Sequence, residues 1–251
     1  MEKKYKLTDE TIEVEGKTLY RIEALKDFGD VKKGEKGGFV ESENNLAHEG
    51  NAWVYDDAWV YDHARVYGNA HIFGEAWVYG NSVVRDNARV YEHARVYGKC
   101  QVYGKCQVYG GAFVFGYTCV YGDACVFDNA FVYGDARVFG FACVYGDARV
   151  FDNARVYGNA CVFANVRLYG YTCVCGNAEI SNKFDYIVFQ NWWSSGRYFT
   201  WTRSNNMWSV GCFYGTGEEL IKKAYKDSEK SGREYERIVK YVKEILKENE
   251  K

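Results

Sequence analysis

From Ala52 to Lys183 the chain repeats every six residues, twenty-two times over, without an insertion or deletion. The first units read Ala52-Trp53-Val54-Tyr55-Asp56-Asp57, Ala58-Trp59-Val60-Tyr61-Asp62-His63 and Ala64-Arg65-Val66-Tyr67-Gly68-Asn69. Self-similarity at a fixed short period marks a solenoid, in which each unit buries its apolar face only against its neighbours. Such regularity also leaves few places for the irregular geometry of an active site.

The columns of the repeat predict its faces. Side chains alternate along a strand, so the Ala and the Val two residues later share one side, while the variable residue and the Tyr share the other. The variable column holds Arg65, Arg89, Gln101, Gln107 and Glu179, which must be solvated. Ala and Val therefore point inward, and Tyr or Phe point outward. Gly or Asp followed by Asn, Asp or Lys supplies a tight corner, where Gly and Asn tolerate positive φ. Three units make one triangular coil of 18 residues, and the array is expected to form roughly seven coils spaced by about 4.8 Å. Ser82, Cys100, Cys106 and Thr118 stand in the Ala column, as a thin interior requires. The turn chemistry of Leu46 to Asn51 suggests that coiling starts before Ala52.

The Val-Tyr-Gly-Asn-Ala-x rhythm resembles the hexapeptide-repeat, left-handed parallel β-helix family, and it covers a little over half of the chain. The resemblance implies a mainly β fold and supplies the left hand. With Gly38-Phe39-Val40-Glu41-Ser42-Glu43-Asn44-Asn45-Leu46 as entry segment, the Tyr-rich repeat is similar to phage and gut-bacterial proteins without an assigned activity.

Two flanking segments complete the domain reading: 1–45 as an entry cap, 46–183 as the β-helix, and 184–251 as an α+β module. Thr11–Val14 and Thr18–Ile22 read as a hairpin around Glu15-Gly16-Lys17, and Gly34, Gly37 and Gly38 as a bend. In the module, Phe184–Phe189, Tyr198–Thr202 and Met207–Phe213 read as strands, with Ser204-Asn205-Asn206 as a turn. Thr216-Gly217-Glu218-Glu219 and Ser231-Gly232-Arg233-Glu234 read as capping boxes of two helices. Gly211 to Leu220 resembles a small module that follows such repeats, with no known catalytic role. Solenoid ends expose an unpaired strand edge, so both flanks are expected to be caps.

Composition narrows the function. A net charge of −2 supports neither general nucleic-acid binding nor a membrane-surface role. The N-terminal residues lack the apolar stretch of a signal peptide, and nine cysteines suit reduced thiols, so a cytoplasmic setting in a bacterial host cell is expected. Proline is absent, which fits continuous ladders.

Hexapeptide β-helices of the resembled family include acyltransferases that use a His base between subunits. His48, His63, His71 and His93 are present, but no hexad is interrupted by the loop that would shape such a pocket. No catalytic residue, metal or cofactor is therefore assigned. Cys125, Cys143 and Cys161 form one outward column, and Cys119 and Cys173 another, separated by Arg137 and Arg155. A linear ladder of thiols does not match tetrahedral metal geometry, and Cys173-Val174-Cys175 is the better soft-metal pair. Arg137 with Arg155, and Arg149 with Arg167, stack one coil apart and could grip an anion, or else lie across Tyr rings.

The second face adds Trp59, Trp77, Phe113 and Phe131 in its variable column and is expected to form a homo-oligomer interface, in a trimer or dimer. Trp192, Trp193, Trp201 and Trp208, with Arg197 and Arg203, crowd the module; they serve as its core or as a pocket for a host protein or nucleotide. The leading reading is a non-enzymatic oligomeric β-helix scaffold that binds through its C-terminal module. The family likeness suggests a phage accessory protein that binds a host component, or a counter-defence protein that sequesters a defence protein or nucleotide signal. An acyltransferase acting at a trimer cleft, and a polymer-forming structural protein, are the alternatives.

Overall fold

The computed structural model of the protein describes residues 2–248. Three parallel faces wind around a core of Ala and Val, and most of those core residues are fully buried. Register steps by 18 residues: Val60 faces Val78, which faces Val96. Ser82, Cys100, Cys106 and Thr118 lie inside, as their column predicts. One face carries eight parallel strands, from Trp53–Val54 to Glu179–Ile180, so the solenoid has about eight coils where seven are expected.

The solenoid also starts earlier than the hexads. An N-terminal hairpin of β1 (Tyr5–Val14) and β2 (Lys17–Ala24) leads into β3 (Lys36–Val40). β3 pairs in parallel with Trp59–Val60, and Leu46 bridges Val66. Gly37 and Gly38, expected at a bend, lie inside β3; a Cβ on either would collide with the Val54 or Ala58 carbonyl oxygen.

The corners refine the turn chemistry. The left-handed residue is the fifth of every hexad from Asp56 to Gly176 and not the Asn that follows: Gly68 at φ 73°, Asp56 at 51°, Asp152 at 56°. A non-Gly residue there costs about 1 kcal/mol, and the Asp side chain offsets it. Asp56, Asp128 and Asp152 each accept the N–H of the Gly 18 residues later, at 3.0, 3.2 and 3.2 Å.

The outward rings stack face to face between coils. Phe73, Tyr91, Tyr109, Phe127, Tyr145 and Phe163 form one ladder with centroid spacings of 4.7 to 5.1 Å. On the third face Arg85, which interrupts the Tyr column, lies over the Tyr103 ring at 4.2 Å. Two rings depart from the outward expectation. Tyr61 is fully buried under Val14, Leu19 and Phe39 of the hairpin region, and Trp53 is fully buried against Tyr5 and Phe28. Both sit where the N-terminal cap folds over the first coils.

The direction of the ladder dictates the chemistry of the caps. Between coils, the bonds that involve a residue outside the two-residue strands run from one coil's N–H groups to the next coil's carbonyls: Trp53 to Ala70, Cys161 to Ala178. The N-terminal edge is therefore left chiefly with carbonyls and calls for donors; the C-terminal edge is left chiefly with N–H groups and calls for acceptors. At the first, Lys4 Nζ donates to Ala52 O (2.7 Å), Asn45 Nδ2 to Asp62 O and Ala64 O (3.1 and 2.9 Å), and Arg21 Nη1 to Asp56 O (3.1 Å). At the second, Thr200 Oγ1 accepts from Cys173 N–H (3.0 Å), Ser204 Oγ from Glu179 N–H (2.7 Å), and Asp185 Oδ2 from Ser181 and Asn182 N–H (2.7 and 2.9 Å).

The C-terminal module is a four-stranded antiparallel sheet with two helices, α1 (Gly217–Asp227) and α2 (Glu229–Glu248). Tyr186–Gln190 and Tyr198–Thr202 match the expected strands, but the third splits into Met207–Val210 and Phe213–Gly215 around Gly211. Thr216 and Glu219 form the expected capping box. Ser231 caps nothing, because α2 already starts at Glu229; Gly232 lies inside the helix, where the Tyr225 ring leaves no room for a Cβ.

Candidate functional site

The module rests on the last coil, with Thr200 and Ser209 of its sheet hydrogen-bonded to Cys173 of the solenoid. Tyr171 occupies a hexad corner where Asn, Asp or Lys is usual, and its ring stacks on Tyr198 of the module at 5.0 Å and 12°. Both rings are largely exposed, at 58% and 41%. This pair forms a ridge between two hollows.

One hollow, of about 540 Å³, is lined by Asn153, Arg155 and Cys173 from the solenoid and by Gly196, Arg197 and Ser209 from the module. The other, of about 1160 Å³, includes Arg167, Lys183, Tyr186 and Val188. Among the described residues no acidic side chain lines either one. Exposed Arg155 stands in the solenoid's third face and Arg197 at the start of a module strand, and neither forms an ion pair among the described residues. Cations from separate elements that face a hollow without a carboxylate are chemically suited to hold an anion.

The floor of the smaller hollow holds a thiol cluster. Ser209 Oγ donates to Cys173 Sγ at 3.2 Å, and Tyr157 Oη lies 3.7 Å from the same sulfur. Cys175 is buried beside them. The Cys175 thiol first, then Ser209 and Tyr157, hold the Cys173 thiol below the usual thiol range against the opposing effect of burial. Cys175, the neighbour of that sulfur, is correspondingly pushed up.

The structure distributes the residues expected to bind a ligand or partner unequally. Trp193, Trp201 and Trp208 are buried in the module core with Phe199, Leu220 and Tyr235. They serve packing, and Trp201 Nε1 donates to Asn206 Oδ1 at 2.9 Å. Trp192 is 73% exposed and meets Trp193 edge-on. Arg203 is exposed on the turn and does not line the hollows; Arg197 does. Tyr171 and Tyr198 were not singled out from the sequence. An aromatic residue at a polar corner position was the available signal.

Trp59 and Trp77 stack at 4.6 Å and Phe113 and Phe131 at 4.8 Å, all four half-buried. Arg95 separates the two pairs, lying 4.2 Å from the Trp77 ring, and Arg149 lies 5.3 Å from Phe131. The histidines are far from the junction. His63 and His93 are exposed corners, with His93 Nδ1 3.2 Å from Glu75. His71 lies against Tyr55, where burial lowers its pKa, and His48 Nδ1 accepts the Lys4 N–H. Among the described residues no group of three or more His, Cys, Asp or Glu could hold a metal ion. No described helix is long and apolar enough to cross a membrane.

A family model described as the YdcK beta solenoid repeat matches residues 88–104. A curated protein of Escherichia coli (strain K12), named "Uncharacterized acetyltransferase YdcK", is 50% identical over 38 residues, which is 15% of this chain and 12% of that protein. The shared stretch thus spans a small part of the relative's length.

Proposed function

We propose that this parallel β-solenoid works as a non-enzymatic binding scaffold whose recognition site is the junction between the last coil and the C-terminal module. The ligand class that fits is a phosphate-bearing small molecule with a flat ring, as in a nucleotide. The carrying observation is the pair Arg155 and Arg197, brought from two elements to one hollow that contains no described carboxylate. The exposed Tyr171–Tyr198 ridge adds a stacking surface beside it. A volume of about 540 Å³ falls in the range of small-molecule sites.

Calorimetric titration with adenosine, adenosine mono- and diphosphate, and pyrophosphate tests this reading. Phosphorylated ligands should bind more tightly than the nucleoside. Arg155→Ala with Arg197→Ala should weaken them by about tenfold or more, since each charged hydrogen bond contributes about 1.5–3 kcal/mol. No binding by any phosphorylated compound would sink the reading. Self-association along Trp59, Trp77, Phe113 and Phe131 belongs to the same proposal, and sedimentation of Trp77→Glu against wild type tests it.

Acyl transfer is the second reading, favoured by the printed name of the E. coli relative. The absence of any described histidine from the lining of both junction hollows weighs against it there. Loss of measured acyl transfer in His63→Ala, His71→Ala or His93→Ala would reverse the ranking.

A further inference from the structure

The solenoid's last strand on its third face, Cys173–Val174, is covered by the module, yet Cys173 stays half-buried and opens onto the smaller hollow. Ser209 donates to its sulfur, the Tyr157 hydroxyl and the Cys175 thiol stand beside it, and Arg155 is its in-register neighbour one coil back. Its own backbone N–H is held by Thr200. Ser209, Tyr157 and Arg155 come from the module and from the preceding coil, and they favour the same species, a thiolate, by hydrogen bonding and by charge. The ligand reading makes no use of this sulfur.

We propose that Cys173 is a reactive-thiol site that captures small disulfides bearing negative charge. The Cys173 thiolate attacks one sulfur of the small disulfide. A new bond forms between Cys173 Sγ and that sulfur, and the disulfide's own S–S bond breaks. The electron pair leaves with the second half as a thiolate, which takes a proton from solvent. The protein thiol is oxidised to a mixed disulfide, and half of the small molecule is reduced to a thiol.

Cys175 does not resolve the adduct. Two residues along an extended strand separate α-carbons by about 6.6 Å, at the far limit of disulfide geometry, and Cys175 is buried with its proton retained. The mixed disulfide therefore persists in the hollow. The preference for negative charge rests on the anion-binding reading of Arg155 and Arg197; the reactivity of the sulfur does not.

The test uses the internal competitor that the molecule supplies. Cys212 is exposed and lines the same hollow. Wild-type protein, freshly reduced, is exposed at pH 7 to neutral bis(2-hydroxyethyl) disulfide or to anionic dithiodiglycolate, and the adducts are mapped by peptide mass spectrometry over time. With the neutral reagent, Cys173 should react about threefold faster than Cys212, the gain in thiolate fraction less its lower intrinsic nucleophilicity. Ser209→Ala should reduce that advantage while leaving Cys212 unchanged. With the anionic reagent the advantage should grow further and shrink again in Arg155→Ala with Arg197→Ala. Equal or faster reaction at Cys212 with the neutral reagent overturns the proposal. A retained Cys173 advantage with no charge preference keeps the reactive thiol and instead counts against the anion reading.

Discussion

Cys100 and Cys106 stand in a column otherwise made of Ala, and both are fully buried in the solenoid core. Burial pushes each thiol from 9.0 up to about 12. A raised folded-state pKa means that the native protein holds a proton that the unfolded chain releases. The stabilisation is complete below about pH 9 and is lost as pH rises towards 12. Three pH units correspond to about 4 kcal/mol for each thiol over the full window. At pH 10.5 about half of that, roughly 2 kcal/mol per thiol, has gone.

Cys100→Ala with Cys106→Ala restores the column's usual residue, so at pH 8 the double variant should lie within about 1.5 kcal/mol of wild type. Urea unfolding at pH 8 and pH 10.5 then isolates the effect. Wild type should lose about 4 kcal/mol more than the variant between the two pH values. Tyr79 and Tyr109, raised to about 12, also cause alkaline loss, but equally in both proteins. Equal losses in the two proteins would refute the assignment of these thiols to a dry core.

Gly176 and Gly170 both have positive φ, but a Cβ on Gly176 would overlap the Tyr214 hydroxyl, whereas one on Gly170 meets nothing within 4 Å. Gly170→Ala should cost only the backbone strain of about 1 kcal/mol; Gly176→Ala should also push the Tyr214 ring off the last coil and break its hydrogen bond with Asn205, which hydrogen exchange at the last coil would show. Thr200→Val leaves the part-buried Cys173 N–H without its acceptor, an expected loss of about 1–3 kcal/mol, whereas Ser204→Ala, at the exposed Glu179 N–H that water can reach, should cost less; denaturant unfolding reads both. Tyr121 stacks on Tyr103 at 5.0 Å and on Phe139 at 4.8 Å. Tyr121→Ala should therefore cost two stacks of about 0.5–1.5 kcal/mol each in addition to lost burial, with Tyr121→Phe near neutral. Lys4 is held down to about 8, chiefly by burial, so its charged form weakens the fold below that pH; relative to Lys4→Met, wild type should gain stability as pH rises from 8 towards 10, as urea midpoints would show.

Much of this molecule follows from local pattern. The six-residue period and strand alternation place residues such as Ala58 and Val60 inside, put the rings in columns, stack Arg155 beside Cys173 and align Cys125, Cys143 and Cys161. These relations need only the 18-residue register, which the repeat itself encodes. The tertiary structure decided which outward residues remain outward. Trp53 and Tyr61 lost their exposure to a hairpin some 40 residues earlier in the chain, as Tyr5 and Leu19 folded onto them. Cys173 met Ser209 and Thr200 across 36 and 27 residues, and Tyr171 met Tyr198 across a boundary where the period stops. A period describes contacts between equivalent positions in successive coils; it carries no information about how a non-repeating segment packs against the last one. The free N–H groups of the last coil call for acceptors at that end, and the segment that supplies them also closes the hollow in which the cations and the thiol meet.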